Sequence, residues 1–407
     1  MTEIPRIISV DDHVVEPPDL WQSRLPARYK DRGPRIERKK ISFAADVGRG
    51  GAGSTGWQED PDGEWSDVWY YDDLVSPFMM LSAAVGFDEV GFAVTTFDQI
   101  RKGTWDQAAR LEDMDANHTE AAVCFPNTLP RFCGQTFYER EDKELGLLCV
   151  RAYNDWMIDE WSGGAGKGRL IPLTMVPLWD AGLAADEIRR CAAKGSFAVT
   201  FPENPYPLGL PSIHDKDRFW DPFFTACEET GTVVCMHIGS SSKMPSTAPD
   251  APFIISSTLT FQNAMGSLCD YLFSGTLARF PKLTIAYSEG QVGWMPYILE
   301  RADKLWEERS NNSFGTWLPE PPSSYIPGRV YGCIFDDQTG LRNRDVIGME
   351  QICFETDYPH ADSTFPHSKE TLAKISEEAA LNDEELYKLA RGNAIKAFGL
   401  ERFGITE

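Results

Sequence analysis

The run IISVDDHVVEPP, residues 7–18, decides how the rest of the chain is read. Its first four residues are apolar or small and rich in β-branched side chains, as a buried strand requires. Asp11, Asp12 and His13 follow at the carboxyl end of that strand. Side chains alternate along a strand, so Asp11 and His13 share one face while Asp12 turns to the other. A carboxylate and an imidazole two residues apart on one face can grip a single cation.

Seven further runs of the same kind lie downstream: AAVCF at 121–125, LIPLTMV at 170–176, FAVTF at 197–201, TVVCMHI at 232–238, LTIAY at 283–287, VYGCIF at 330–335 and ICFET at 352–356. Helical patterns separate them. One covers 181–193; another covers 222–230, with Asp221 read as its N-cap, Pro222 as its first residue and Gly231 as its C-cap. Strands alternating with helices imply parallel pairing through crossover connections. Eight such units suit an α/β fold of the (β/α)8 TIM-barrel type, with an open doubly wound sheet as the alternative.

The connection from His13 to Ala121 is too long to be a simple loop. The chain therefore reads as one domain, 1–407, with an insertion or cap at 38–105 between strands one and two. Inside it, GRGGAGSTG at 48–56 lacks the Lys-Ser/Thr ending of a phosphate loop and reads as a surface turn, while EWSDVWYYDD at 64–73 reads as a small hairpin over the barrel mouth. A proline-rich segment at about 309–329 forms a second insertion. No internal repeat is evident.

Composition narrows the function. With 39 basic and 62 acidic residues the net charge is −23, which disfavours nucleic acid and anionic membranes and points to a small-molecule substrate. Hydrophobic residues make up 42% of the 407, enough for a large core, yet no run approaches the ~20 apolar residues of a membrane span. The start, MTEIPRIISVDDH, shows no secretory signal, so a cytoplasmic location is expected. Nine cysteines with no C-x-x-C spacing, several of them inside strand runs (Cys124, Cys235, Cys333, Cys353), read as reduced core thiols.

In a barrel, chemistry gathers at the carboxyl ends of the strands. His237 ends strand five, and Asp357 ends strand eight in FETDYPH. Each alone has an ordinary structural reading, as a packed histidine or a turn aspartate. Four such groups at strand ends, Asp11, His13, His237 and Asp357, make a site for a divalent zinc, manganese or iron ion with positions left for water and substrate. His118 precedes strand two and belongs to the stability end. His214 lies far along a loop and is assigned to packing. His360 is placed to assist as donor or acid, and His367 is assigned to the surface. Of the extra carboxylates, Glu16 and Glu203 read as solvated loop residues, whereas Glu289 follows strand six and reads as a site residue.

VDDH with Glu16 and Pro17, then MHIG, TDYPH and RGNA at 391–394, occur in this order and each of the first three at a strand end. Together they resemble the amidohydrolase-2 family of the amidohydrolase superfamily, over strand one and from about residue 107 to 400. The resemblance implies Asp11 and His13 as the first ligand pair, His237 as the strand-five ligand and Asp357 as the strand-eight carboxylate. It also implies a dimer or larger oligomer, and aromatic or proline-rich stretches near Trp69 and Trp317 are expected to form subunit contacts, with a paralogous subunit as one arrangement. The departure is at strand six. Family decarboxylases and hydrolases carry a catalytic histidine there, and this chain reads AYSEGQVGW, with Ser288, Glu289 and Gln291.

Two chemistries follow. A metal-dependent hydrolase or non-oxidative decarboxylase of a small carboxylic substrate would use one ion, with Asp357, Glu289 and His360 as catalytic groups. A dinuclear iron or manganese oxygenase would recruit Glu16, Glu203 and Glu289 as ligands of a second ion. A non-catalytic barrel subunit of a hetero-oligomer ranks below both.

Overall fold

The computed structural model describes residues 3–43, 56–309 and 318–406. All but Gly56 of the glycine-rich turn, and Trp317 with the front of the second insertion, lie outside the described residues.

The described strands, in chain order, are β1 (Ile7–Val14), β2 (Arg35–Phe43), β3 (Trp57–Glu59), β4 (Glu64–Tyr71), β5 (Leu74–Pro77), β6 (Thr119–Pro126), β7 (Leu170–Ile171), β8 (Ala198–Thr200), β9 (Val233–His237), β10 (Ile285–Ser288), β11 (Val330–Ile334) and β12 (Ile352–Phe354). The eight runs read from sequence correspond to β1 and β6 to β12. They form two parallel sheets, ordered β1-β6-β7 and β12-β11-β10-β9-β8. A parallel bridge from Thr174 to Val199 joins one pair of edges. At the other pair, the Asp357 N–H donates to the Asp11 carbonyl at 2.9 Å and the His13 N–H to the Tyr358 carbonyl at 2.6 Å. The chain is thus α/β with parallel sheets.

The pleat sorts side chains between two cores. Val233 and Cys235, Ala286, Tyr331 and Cys333, and Cys353 share one cluster with Ile8, Val10, Ala121, Val123, Ile171 and Ala198. Their neighbours in the chain, Val234 and Met236, Ile285 and Tyr287, Val330 and Ile334, pack instead against the helices. All eight parallel strands feed the first cluster, which occupies the space between the sheets.

Helix Ala181–Ala193 matches its sequence pattern because Asp180 caps it, accepting from the N–H groups of Gly182 and Leu183. Asp221 differs from expectation: it is the first helical residue of Asp221–Thr230 and makes no cap bond, its carboxylate receiving Arg279 at 3.1 Å instead. Gly231 ends that helix at φ 68°, the left-handed conformation glycine adopts most easily.

Between β1 and β6 lies a four-stranded antiparallel sheet, β3-β2-β4-β5, with EWSDVWYY forming β4 and turning back into β5. It begins at Arg35, slightly ahead of the expected boundary at 38. Trp69 and Tyr71 of β4 pack edge-on against Trp21 and Phe137, with ring centroids 5.5 Å and 5.3 Å apart. Trp69 is consequently buried within its own chain and is unavailable as a subunit contact.

Candidate metal centre

Every group of the four-residue set is carried by a strand end on the inner face. β1 delivers Asp11 and His13, β9 ends on His237, and the segment after β12 delivers Asp357. β1 runs on to Val14, so Asp11 and His13 sit near its carboxyl end rather than after it, and its pairing with β6 is irregular between Ser9 and Asp12. Asp12 turns away as expected: it accepts from Ser9 Oγ at 2.8 Å and Thr356 Oγ1 at 2.6 Å, with Arg110 3.7 Å distant.

The two imidazoles face one another, His13 Nε2 to His237 Nε2 at 3.0 Å. Around them stand Asp11 (3.5 Å from each), Asp357 (3.6 Å from His13) and Glu289 (3.4 Å from His237). His237 Nδ1 lies 2.6 Å from the Ile238 carbonyl. A neutral ring must donate its N–H there, which leaves the Nε2 lone pair pointing into the cup, the arrangement a metal-binding histidine needs. Both Asp11 oxygens and Asp357 Oδ2 are buried with no hydrogen-bond donor. Buried carboxylate oxygens without a partner are costly, and a divalent cation is the group that would satisfy them. His13, His237 and His360 offer ring nitrogens mutually within 4.8 Å, as do the ligand atoms of Glu289, Asp357 and His360.

Electrostatics points the same way. Burial, reinforced by Glu355, Glu289 and Asp357, holds the Asp11 carboxyl far above its usual range, and burial with Asp357 does the same to Glu289. Burial lowers His237 to about 3 and drives His13 well down, helped by its histidine neighbours. Acids and imidazoles are all pushed towards neutrality, the signature of a ligand cup considered without its cation.

His360 Nδ1 meets Asp357 Oδ1 at 2.8 Å, and its Nε2 meets Asn127 Oδ1 at 3.1 Å. Asn127 in turn donates to the Ser82 carbonyl at 2.7 Å, and the Val85 N–H donates to the Pro359 carbonyl at 3.1 Å, so the segment after the antiparallel sheet reaches the rim of the site. Phe132 lies over His237, centroids 4.1 Å apart. Glu289, Gln291 and Asp357 all have positive φ, at 51°, 49° and 49°. Left-handed backbone at non-glycine residues is strained and gathers at functional sites.

Glu16 and Glu203, expected to be solvated, are fully buried. Glu16 spends both oxygens on the N–H groups of Asn127 and Thr128, at 2.7 and 2.9 Å, and on the Thr128 hydroxyl. Glu203 accepts from the Gly239 N–H at 3.1 Å and keeps Oε1 without a donor. His118 bonds the Ile4 carbonyl at the opposite end of β6, His214 pairs with Asp270 at 2.9 Å, and His367 is exposed.

Sequence reading passed over Glu355, which is buried and pushed up to about 7 by burial. Its Oε2 accepts from the Glu289 N–H at 3.0 Å and from the Cys333 thiol. The signal was present, because Glu355 stands two residues before Asp357 and two after Cys353, on the inward side of the pleat. Asn127 follows Phe125 by the same rule.

The strand-end cup on parallel α/β sheets gathers imidazoles and carboxylates that could hold a metal ion. The chain belongs to the amidohydrolase family, whose match spans residues 65–400. It is 22% identical over 336 residues to a γ-resorcylate decarboxylase of Rhodococcus jostii (strain RHA1), covering 77% of this chain and 94% of that protein. Its fold is similar to an amidohydrolase of Mycobacterium avium subsp. paratuberculosis K-10, with a TM-score of 0.70 at 20% identity over 98% of this chain and 100% of the other. It is also similar to a dihydroxybenzoic acid decarboxylase of Polaromonas sp. JS666, solved with manganese and the inhibitor 2-nitroresorcinol, with a TM-score of 0.61 at 16% identity over 98% of each chain.

Proposed function

We propose that this protein is a metal-dependent, non-oxidative decarboxylase acting on a small carboxylic substrate. The observation that carries the reading is Glu289. It stands at the end of β10, where the family places its proton-transfer histidine, and its Oε2 is 3.4 Å from His237 Nε2. The decarboxylase relatives favour carbon–carbon cleavage over hydrolysis, and their substrates make a hydroxyl-bearing aromatic carboxylate the class to test.

The two sheets are read as arcs of one closed (β/α)8 barrel, with the antiparallel sheet as the 38–105 cap of a single domain. Asp11, His13, His237 and Asp357 would hold the cation. When bound, it supplies a Lewis acid that draws a carboxylate and neighbouring hydroxyl into place. Glu289 then gives a proton to the carbon bearing the carboxylate. The electron pair of the breaking carbon–carbon bond stays with that carbon's skeleton, and CO2 leaves. The Asp357–His360–Asn127 chain orients the cup and can return a proton from the rim. Residues 82–85 and Phe132 limit water at the mouth, which strengthens each electrostatic contact inside. The oxygenase alternative draws no support from these relatives, and Glu16 is fully engaged elsewhere.

The test is turnover of 2,6-dihydroxybenzoate in D2O, read as deuterium at the carbon that lost CO2. Glu289→Gln should keep the metal, lower turnover about 10²- to 10⁴-fold and remove one limb of the pH profile. Loss of metal with Glu289→Gln, or unchanged turnover, would refute the assignment.

A further inference from the structure

Beside the proposed centre the inner face carries a further buried acid and a buried thiol, Glu355 and Cys333. Asp11, Glu289, Glu355 and Asp357 converge there, and among the described residues none of the four is ion-paired to a lysine or arginine. Arg110, the nearest buried cation of the strand ends, lies by Asp12 on the other side of β1. Asp11, Glu355 and Asp357 are buried in a dry interior, where a carboxylate oxygen without a partner is costly, and both Asp11 oxygens and Glu355 Oε1 have no hydrogen-bond donor.

We propose that Asp11, Cys333 and Glu355 form a second cation subsite, one pleat deeper than the first and sharing Asp11, that takes a thiolate-accepting ion of the zinc or ferrous type. The ligand atoms of these three residues lie within 4.8 Å of one another, and all three are buried. Cys333 Sγ approaches Glu355 Oε2 at 2.5 Å, while Glu355 Oε1 and both Asp11 oxygens have no donor. A thiol beside two carboxylates selects borderline ions over magnesium or calcium. Binding exchanges the Cys333 S–H bond for a sulfur–metal bond and releases one proton to solvent, with no change of oxidation state. Glu355 also holds the Glu289 N–H, so the subsite would fix the left-handed turn that aims Glu289 into the cup.

This inference rests on the reading of the cup as a metal centre, and the experiment separates the two. The full chain is stripped with chelator and reloaded with Co²⁺ alone. Two equivalents should bind per chain, and a thiolate-to-cobalt charge-transfer absorption should appear in the near ultraviolet. Cys333→Ser should abolish that absorption and leave about one equivalent. Should Cys333→Ser fail to fold, Glu355→Gln serves instead, with the same fall in stoichiometry and a weakened absorption. One equivalent with no thiolate absorption in the unaltered protein, or an absorption that survives Cys333→Ser, overturns the subsite while leaving the main centre standing. Failure to bind any cobalt overturns both.

Discussion

His237 and His118 are both histidines at the margin of a strand, and the direction of the strand separates their roles. His237 ends β9 with its Nε2 in the cup, whereas His118 precedes β6 and bonds the Ile4 carbonyl at 3.0 Å. On the proposed reading each of His237 and Asp357 is a donor to the cation, so His237→Ala or Asp357→Ala should reduce metal content and turnover together. His118→Ala should leave both intact and cost about 1 kcal/mol of stability, the worth of one partly buried hydrogen bond. Metal analysis with thermal unfolding on the three variants checks this, and an emptied site in His118→Ala would reverse the assignment of strand direction. His214 adds a pH effect. Its bond to Asp270 raises its pKa above the ordinary 6.5, so the stabilisation is fully present below that value and fades as pH rises through the raised one. His214→Gln should flatten the fall in melting temperature above about pH 6.5.

The helices are tied to the sheets by buried polar groups as well as by apolar faces. Asn154, on helix Lys143–Trp156, brackets Met175 by accepting from its N–H and donating to its carbonyl, both at 2.9 Å, and donates to Glu187 at 2.8 Å. Glu187, on helix Ala181–Ala193, also takes Arg190 at 2.7 Å. Burial alone would raise the Glu187 pKa, but the bonds from Arg190 and Asn154 outweigh it and hold the value below the ordinary 4.5. Its stabilisation is present above pH 4.5 and is lost as pH falls through the lowered value. Glu187→Ala should cost about 3 kcal/mol near neutral pH by leaving Asn154 and Arg190 short of a partner, and the difference from the unaltered protein should shrink in acid. Denaturant titrations at both pH values measure it. An undiminished difference in acid would show that lost packing, not charge, is responsible.

At the scale of the molecule, all nine cysteines are free and eight of them are buried, with Cys269 partly exposed. Denatured, non-reduced protein should yield nine titratable thiols, and native protein at most the one at Cys269. Recovery of far fewer than nine after denaturation would reveal disulfides that the fold does not contain. Among the described residues no helix is long and apolar enough to cross a membrane. The net charge of −23 leaves the acidic interior of the cup surrounded by a surface that attracts cations and repels anionic polymers.

The strands, their inward faces and the four residues Asp11, His13, His237 and Asp357 were legible in the sequence, because β-rich runs with period-two patterning are local signals and each residue's side of the pleat follows by counting. Local signals also placed helix Ala181–Ala193 and the hairpin at Glu64. They could not tell Glu355, buried within the cup, from Glu16, buried but spent as an acceptor for Asn127 and Thr128, since both are glutamates close to strand ends. That distinction depends on which distant segments the fold brings together. β1 meets the segment after β12 through contacts such as Ser9 Oγ with the Thr356 N–H, 347 residues apart in the chain, and only this neighbourhood brings Asp11, Cys333 and Glu355 into one volume. The left-handed turns at Glu289 and Asp357 belong to the same class. Residue preference alone does not fix them, since aspartate merely tolerates this conformation and glutamate does not favour it, and they persist because the surrounding packed strand ends hold them.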